Sequence, residues 1–240
     1  MTKPDTFVAI DIETTGLNNG RDKITEVALV KYENGKMTDT YTTLVNPGIK
    51  IPERISDITG INNEMTNNSP YIEEILEEIL EFTKGYILTG HSILFDYSFL
   101  KRAMTNNNYL FQCYGIDTFK IARKLLPELE KKNLQYLCSY FEISDNNHHR
   151  ALNDAMAAGE LLLILEEKYY DTNKEVFAPY ELIYKVKKQS PATESQLKKI
   201  RELTERYRIT IDFDMEHLTK NEASRKIDKI MSVYGIVRSE

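Results

Sequence analysis

The chain has 240 residues, 41% hydrophobic and 28% charged, a balance that excludes a disordered chain and leaves room for one well-buried domain with an appendage. Its two cysteines, Cys113 and Cys138, have no paired spacing, which excludes a disulfide framework or a zinc site. The net charge of −6 excludes broad, non-specific coating of DNA, but not an enzyme acting on a chain end.

Apolar runs such as Leu161 to Leu165 are too short to span a bilayer, and the first residues lack the apolar core of a signal peptide. A cytoplasmic location without a membrane partner is expected. Thr6 to Glu13, Ile24 to Tyr32 and Thr38 to Val45 read as three strands, with Asn34-Gly35 as the turn between the last two. Ser69-Pro70 opens a helix whose apolar stripe is Ile72, Ile75, Leu76, Ile79 and Leu80, and Gly85 closes it. Tyr86 to Thr89 reads as a buried strand. Helical spacing follows at Asp96 to Thr105, Thr118 to Leu126, Leu134 to Phe141 and Leu152 to Tyr169. Strands first, then helices alternating with a further strand, predict an α/β fold: a mixed sheet flanked by helices.

Beyond about Asp171 the composition changes. Residues 1–180 carry a net −9 and residues 181–240 a net +3. Thr193-Glu194-Ser195-Gln196 and Thr219-Lys220-Asn221-Glu222 are capping boxes opening two short helices, with Gly235 as a stop for the second. The expected organisation is a catalytic domain over 1–172, a linker over 173–192 and a small helical module over 193–240. Two short helices bury little core alone. The module therefore docks on the catalytic domain or faces a partner, either a protein or nucleic acid. Its lysines and arginines also fit an ordinary solvated face.

The chemistry lies in three separated segments. Asp11 and Glu13 are two apart on a strand, so their carboxylates share a face. Asp96 follows the fourth strand, and Asp154 lies near the start of the long helix, five residues after His149. Each has a plain alternative: a solvated Asp-x-Glu, a helix N-cap at Asp96, a dipole partner at Asp154, polar turn residues at His148 and His149. Together, four acids and one histidine are the equipment for metal-assisted phosphodiester hydrolysis, with neutral imidazole as the base.

Asp11-Ile12-Glu13-Thr14-Thr15-Gly16-Leu17, Gly90-His91 through Asp96-Tyr97-Ser98-Phe99-Leu100, and His148-His149-Arg150-Ala151-Leu152-Asn153-Asp154-Ala155 resemble, in order, the three motifs of the DnaQ-like DEDDh 3′→5′ exonucleases. The nearest likeness is to the proofreading exonuclease domain of Gram-positive DNA polymerase III, over residues 6 to about 168. The resemblance implies an RNase H-like fold, with Asp11, Glu13, Asp96 and Asp154 holding two Mg²⁺ or Mn²⁺ ions and His149 as general base. It also implies that Thr14 and Gly16 receive the 3′-terminal nucleotide, that Leu17 wedges against terminal bases, and that His91 and Phe95 line the substrate path. Leu17 and Phe95 also fit a plain packing role. The implied substrate is the 3′ end of single-stranded DNA, with RNA as the runner-up. No polymerase region accompanies these residues, so proofreading would call on a separate polymerase partner. Ser92 departs from the family, which commonly has asparagine after Gly-His.

Overall fold

The computed structural model describes residues 3–144 and 150–234. Six strands form one sheet: β1 (Phe7–Thr14), β2 (Ile24–Glu33), β3 (Lys36–Leu44), β4 (Leu88–Gly90), β5 (Tyr114–Asp117) and β6 (Tyr180–Glu181). Their order is β3-β2-β1-β4-β5-β6. β1 runs antiparallel to β2 and parallel to β4, and β5 is parallel to β4 but antiparallel to β6, so the sheet is mixed. The β2–β3 hairpin turns at Asn34 and Gly35, both at positive φ (52° and 71°), the requirement of a tight turn matched to strand twist.

The helices of the same unit are α1 (Glu53–Thr59), α2 (Asn63–Thr66), α3 (Leu76–Thr83), α4 (Leu94–Asn106), α5 (Thr118–Leu125), α6 (Leu134–Phe141) and α7 (Ala151–Tyr169). Strand alternation sorts the core into two layers. Phe7 and Ala9 of β1 face α5, α6 and α7, packing with Leu137, Leu161 and Leu165. Val8, Ile10 and Ile12 face the other side, with Ile79 of α3 and Leu100 of α4. The row Phe7, Ala9, Asp11, Glu13 therefore runs out of the core toward α7.

The apolar stripe expected over one helix from Ser69 is broken at Ile75 (φ −111°, ψ 0°), giving a 3₁₀ turn at Ile72–Glu74 and then α3. α4 starts two residues ahead of Asp96, which places that residue in the first turn rather than at the cap. No helix among the described residues is long and apolar enough to cross a membrane.

The chain divides into two compact units, one running to Pro47 and resuming over Ile51–Val186, the other made of Gly48–Lys50 and the chain from Lys187 on. The first reaches Val186 because Phe177 and Leu182 are buried in it and the Leu182 N–H donates to the Cys113 carbonyl at 2.9 Å. In the second, α8 (Glu194–Tyr207) and α9 (Lys220–Tyr234) enclose Ile200, Leu218 and Ala223. Both helices open on reciprocal caps, Thr193 with Gln196 and Thr219 with Glu222. Gly235 lies outside the described residues.

Candidate active site

Asp11 and Glu13 sit on β1 opposite Ala28 and Glu26 of β2, and the pairing register shifts between Glu13 and Thr14, the last residue of the strand. α7 starts at this end of the sheet and is seated on small residues: Ala151, Ala155, Ala158 and Gly159 are buried. Asp154 is in its first turn. The outcome is a group of three partly buried acids, Asp11, Glu13 and Asp154, with carboxylate oxygens all within 4.8 Å of one another.

Asp96 reaches the same place from α4. β4 pairs with β1 only at Val8 and Ala9 and ends at Gly90. Beyond that point the Ile12 N–H donates instead to Asp96 Oδ1, at 3.1 Å. A carboxylate that is 4% exposed is thus tied to the backbone between Asp11 and Glu13.

Gathering acids has an electrostatic cost. Burial, and then the charges of Asp96, Asp154 and Glu13, push the Asp11 carboxyl well above the usual range. Burial also raises Asp96, against the backbone hydrogen bonds that lower it. Glu13 is pushed up to about 8 by burial and by Asp154 and Glu26, with Arg150 opposing. An all-oxygen donor set of mutually repelling acids fits a hard divalent cation, whose charge would remove the repulsion.

Around these acids, Thr14 is buried, and its hydroxyl donates to the Gly16 carbonyl at 2.7 Å. Gly16 is needed sterically: a β-carbon there would stand 2.6 Å from Asp22 Oδ2, the oxygen that accepts from the Asn18 N–H at 2.7 Å. Leu17, on this loop, is 87% exposed. Phe95 is half-buried, its ring 5.1 Å from that of Phe99.

His91 has both ring nitrogens engaged, Nδ1 with Thr118 Oγ1 at 2.9 Å and Nε2 with the Lys132 carbonyl at 2.7 Å. A carbonyl only accepts, so Nε2 carries the proton, and burial lowers the pKa toward this neutral form. His91 therefore ties the end of β4 to the start of α5. Ser92, where the family commonly has asparagine, is at φ 72°, and its backbone N–H donates to Asp117 Oδ1. His149, the expected base, lies outside the described residues, as does His148.

Three residues of this region stand outside the sequence expectation. Asp117 caps α5 through the Phe119 N–H while holding Ser92; an aspartate followed by Thr118 at a helix start was its local signal. Glu26 and Arg150 are joined by a bidentate ion pair. The one local sign was a charged residue inside the apolar run of β2.

A mixed sheet in this order, with acids on its central strand and on the helix laid across it, is the RNase H-like arrangement of 3′→5′ exonucleases. Residues 8–162 match the RNase_T family, described as "Exonuclease", and the chain belongs to that family. A "DNA polymerase III PolC-type" of Caldanaerobacter subterraneus subsp. tengcongensis is 41% identical over 162 residues, 68% of this chain but 12% of that protein. The chain thus spans about an eighth of the length of that relative. The "DNA polymerase III subunit epsilon" of Aquifex aeolicus is 40% identical over 167 residues, covering 69% of this chain and 83% of that one. Among solved structures, Exonuclease X in complex with 5′ overhanging duplex DNA shares the fold, with a TM-score of 0.56, 24% identity, and coverage of 72% of this chain and 99% of that one.

Proposed function

We propose that this protein shortens single-stranded DNA from its 3′ end, releasing nucleoside 5′-monophosphates, and that it does so in proofreading or repair. The observation that carries this reading is the group of Asp11, Glu13 and Asp154 carboxylates within 4.8 Å. Those three and Asp96 would hold two Mg²⁺ or Mn²⁺ ions. When bound, such a pair activates the attacking water and offsets charge on the leaving oxygen.

The remaining work falls to the chain's own residues. Thr14 and Gly16 shape the ledge for the terminal nucleotide. Leu17, exposed at the tip of its loop, and Phe95 offer apolar surface to base faces, which favours unpaired ends without reading sequence. His149 accepts the water's proton on an imidazole nitrogen, a role suited to a group with a pKa near 6.5. His91, with both nitrogens engaged, supports the floor of this path rather than touching substrate. The second compact unit serves as the docking element for a polymerase or other protein partner.

The test is degradation of matched 5′-labelled single-stranded DNA and RNA with Mg²⁺ or Mn²⁺, with Asp154→Ala as control. A metal-dependent ladder shortening from the 3′ end of DNA, lost in the variant, is expected. A faster ladder on RNA would make this an exoribonuclease. No ladder on either polymer from folded protein would leave a nucleic-acid-binding scaffold.

A further inference from the structure

We propose that Glu26 and Arg150 form a positioning clamp that sets the first turn of α7 against β2, so that Asp154 meets Asp11 and Glu13. The inference rests on the exonuclease reading above. Glu26 is 2% exposed and stands directly across from Glu13 on the neighbouring strand, so the two carboxylates share the face turned to α7. Arg150 Nη2 donates to Glu26 Oε1 at 2.6 Å, and Nε reaches Oε2 at 3.1 Å and Oε1 at 3.2 Å. A forked pair of this kind fixes orientation as well as distance.

The same carboxylate also receives the Ala151 N–H, at 3.0 Å. That amide opens α7 at its first position, which a cap side chain does not ordinarily reach, since such caps accept from the second or third amide. The cap here is Arg150, which has no acceptor, and its side chain makes no capping hydrogen bond. Glu26 therefore caps the helix from another strand, 125 residues away in sequence, and its negative charge suits the helix N-terminus. The acid-bearing turn of α7 is anchored to the acid-bearing end of the sheet through one buried side chain.

The Arg150 guanidinium also offsets the charge of the buried Glu26 carboxylate in this ion pair. Neither Glu26 nor Arg150 is an assigned ligand or a substrate contact, so both are positioning residues.

The test compares full-length wild type with Glu26→Gln, Arg150→Lys and Arg150→Ser. It reads direct Mn²⁺ binding by electron paramagnetic resonance, the Mn²⁺ concentration giving half-maximal turnover, kcat, and the melting temperature. Arg150→Ser supplies an ordinary local cap without the fork, which separates holding the helix from aiming it. The expected result is Mn²⁺ binding weakened by about 10–100-fold in Arg150→Ser and Glu26→Gln, the range for lost outer partners of metal ligands. Arg150→Lys should fall between these and wild type; because breaking a buried pair lowers the melting temperature, Mn²⁺ binding is compared well below each variant's transition. Unchanged Mn²⁺ binding and kcat in Glu26→Gln and Arg150→Ser would overturn the clamp. A wild type that binds Mn²⁺ but shortens no 3′ end would instead sink the exonuclease reading, and the binding comparison would still decide the clamp.

Discussion

Gly159 of α7 lies so close to Tyr32 of β2 that a β-carbon at 159 would stand 2.5 Å from the Tyr32 ring. The ring has little freedom to retreat. It is 3% exposed, stacks on Phe7 at 4.9 Å and donates its hydroxyl hydrogen to the Met156 carbonyl. This close approach holds α7 down on the sheet, and Asp154, five residues earlier on that helix, shares its seating. Gly159→Ala should therefore lower stability by about 1–3 kcal/mol through overpacking, despite the better helix propensity of alanine. Thermal melting checks the stability, and turnover should fall by more than the loss of folded protein explains. A variant that melts like wild type would show that α7 has slack at this point.

The acidic group should set stability and activity against each other. Asp11 has a folded-state pKa above its unfolded value, so the folded protein binds more protons. The associated stability is full at low pH and is lost as pH rises past the ordinary carboxylate range. Asp11→Asn removes that loss. Without metal, the variant should melt higher than wild type at pH 8 and alike at pH 4. With Mg²⁺ or Mn²⁺ present, the wild type should gain stability and the variant less. Turnover of Asp11→Asn should drop on the order of a hundredfold or more, the scale of losing several kcal/mol of charge stabilisation.

Away from the site, Glu166 of α7 is 3% exposed, and its Oε1 has no hydrogen-bond partner among the described residues. Burial, and then Asp5, raise its pKa to about 8, against Lys3. The sign again follows from the raised value: stability falls as pH climbs from about 4.5 toward 8. Glu166→Gln should flatten this segment of the stability–pH curve. It should stabilise the protein at pH 8 by about 1–3 kcal/mol, because the amide cannot ionise in this buried position, and leave exonuclease activity unchanged. Denaturant unfolding at pH 5 and pH 8 measures it, and parallel curves for both proteins would contradict the assignment.

Leu17 separates binding from stability. At 87% exposed it adds almost nothing to the core, so Leu17→Ala should melt within about 0.5 kcal/mol of wild type. If its side chain meets the terminal bases, KM for single-stranded DNA should rise roughly tenfold, the scale of one lost base contact, with kcat changing less. An unchanged KM would return Leu17 to an ordinary exposed residue.

Much of the fold was legible because the sheet centre follows simple alternation. Val8, Ile10 and Ile12 on one face and Phe7 and Ala9 on the other mark β1, and the carboxylates of Asp11 and Glu13 stand out against them. β5 and β6 were not legible: segments of four and two residues carry too little pattern. α1 and α2 escaped for a related reason, being short helices between Pro52 and Asn67. Asp11, Glu13 and Asp154 could be grouped from motif spacing, and the structure brings them together. The Glu26–Arg150 pair spans 124 residues, and no local rule signals a partner at that distance.

The measurement that bears most directly on the acidic group as the seat of the chemistry is identification of the products from uniformly labelled single-stranded DNA, with Mg²⁺, for wild type and Asp11→Asn. Nucleoside 5′-monophosphates are expected from the first turnovers of wild type, abolished by chelation and nearly absent in the variant. Internal fragments, 3′-monophosphates, or equal release by Asp11→Asn would contradict it.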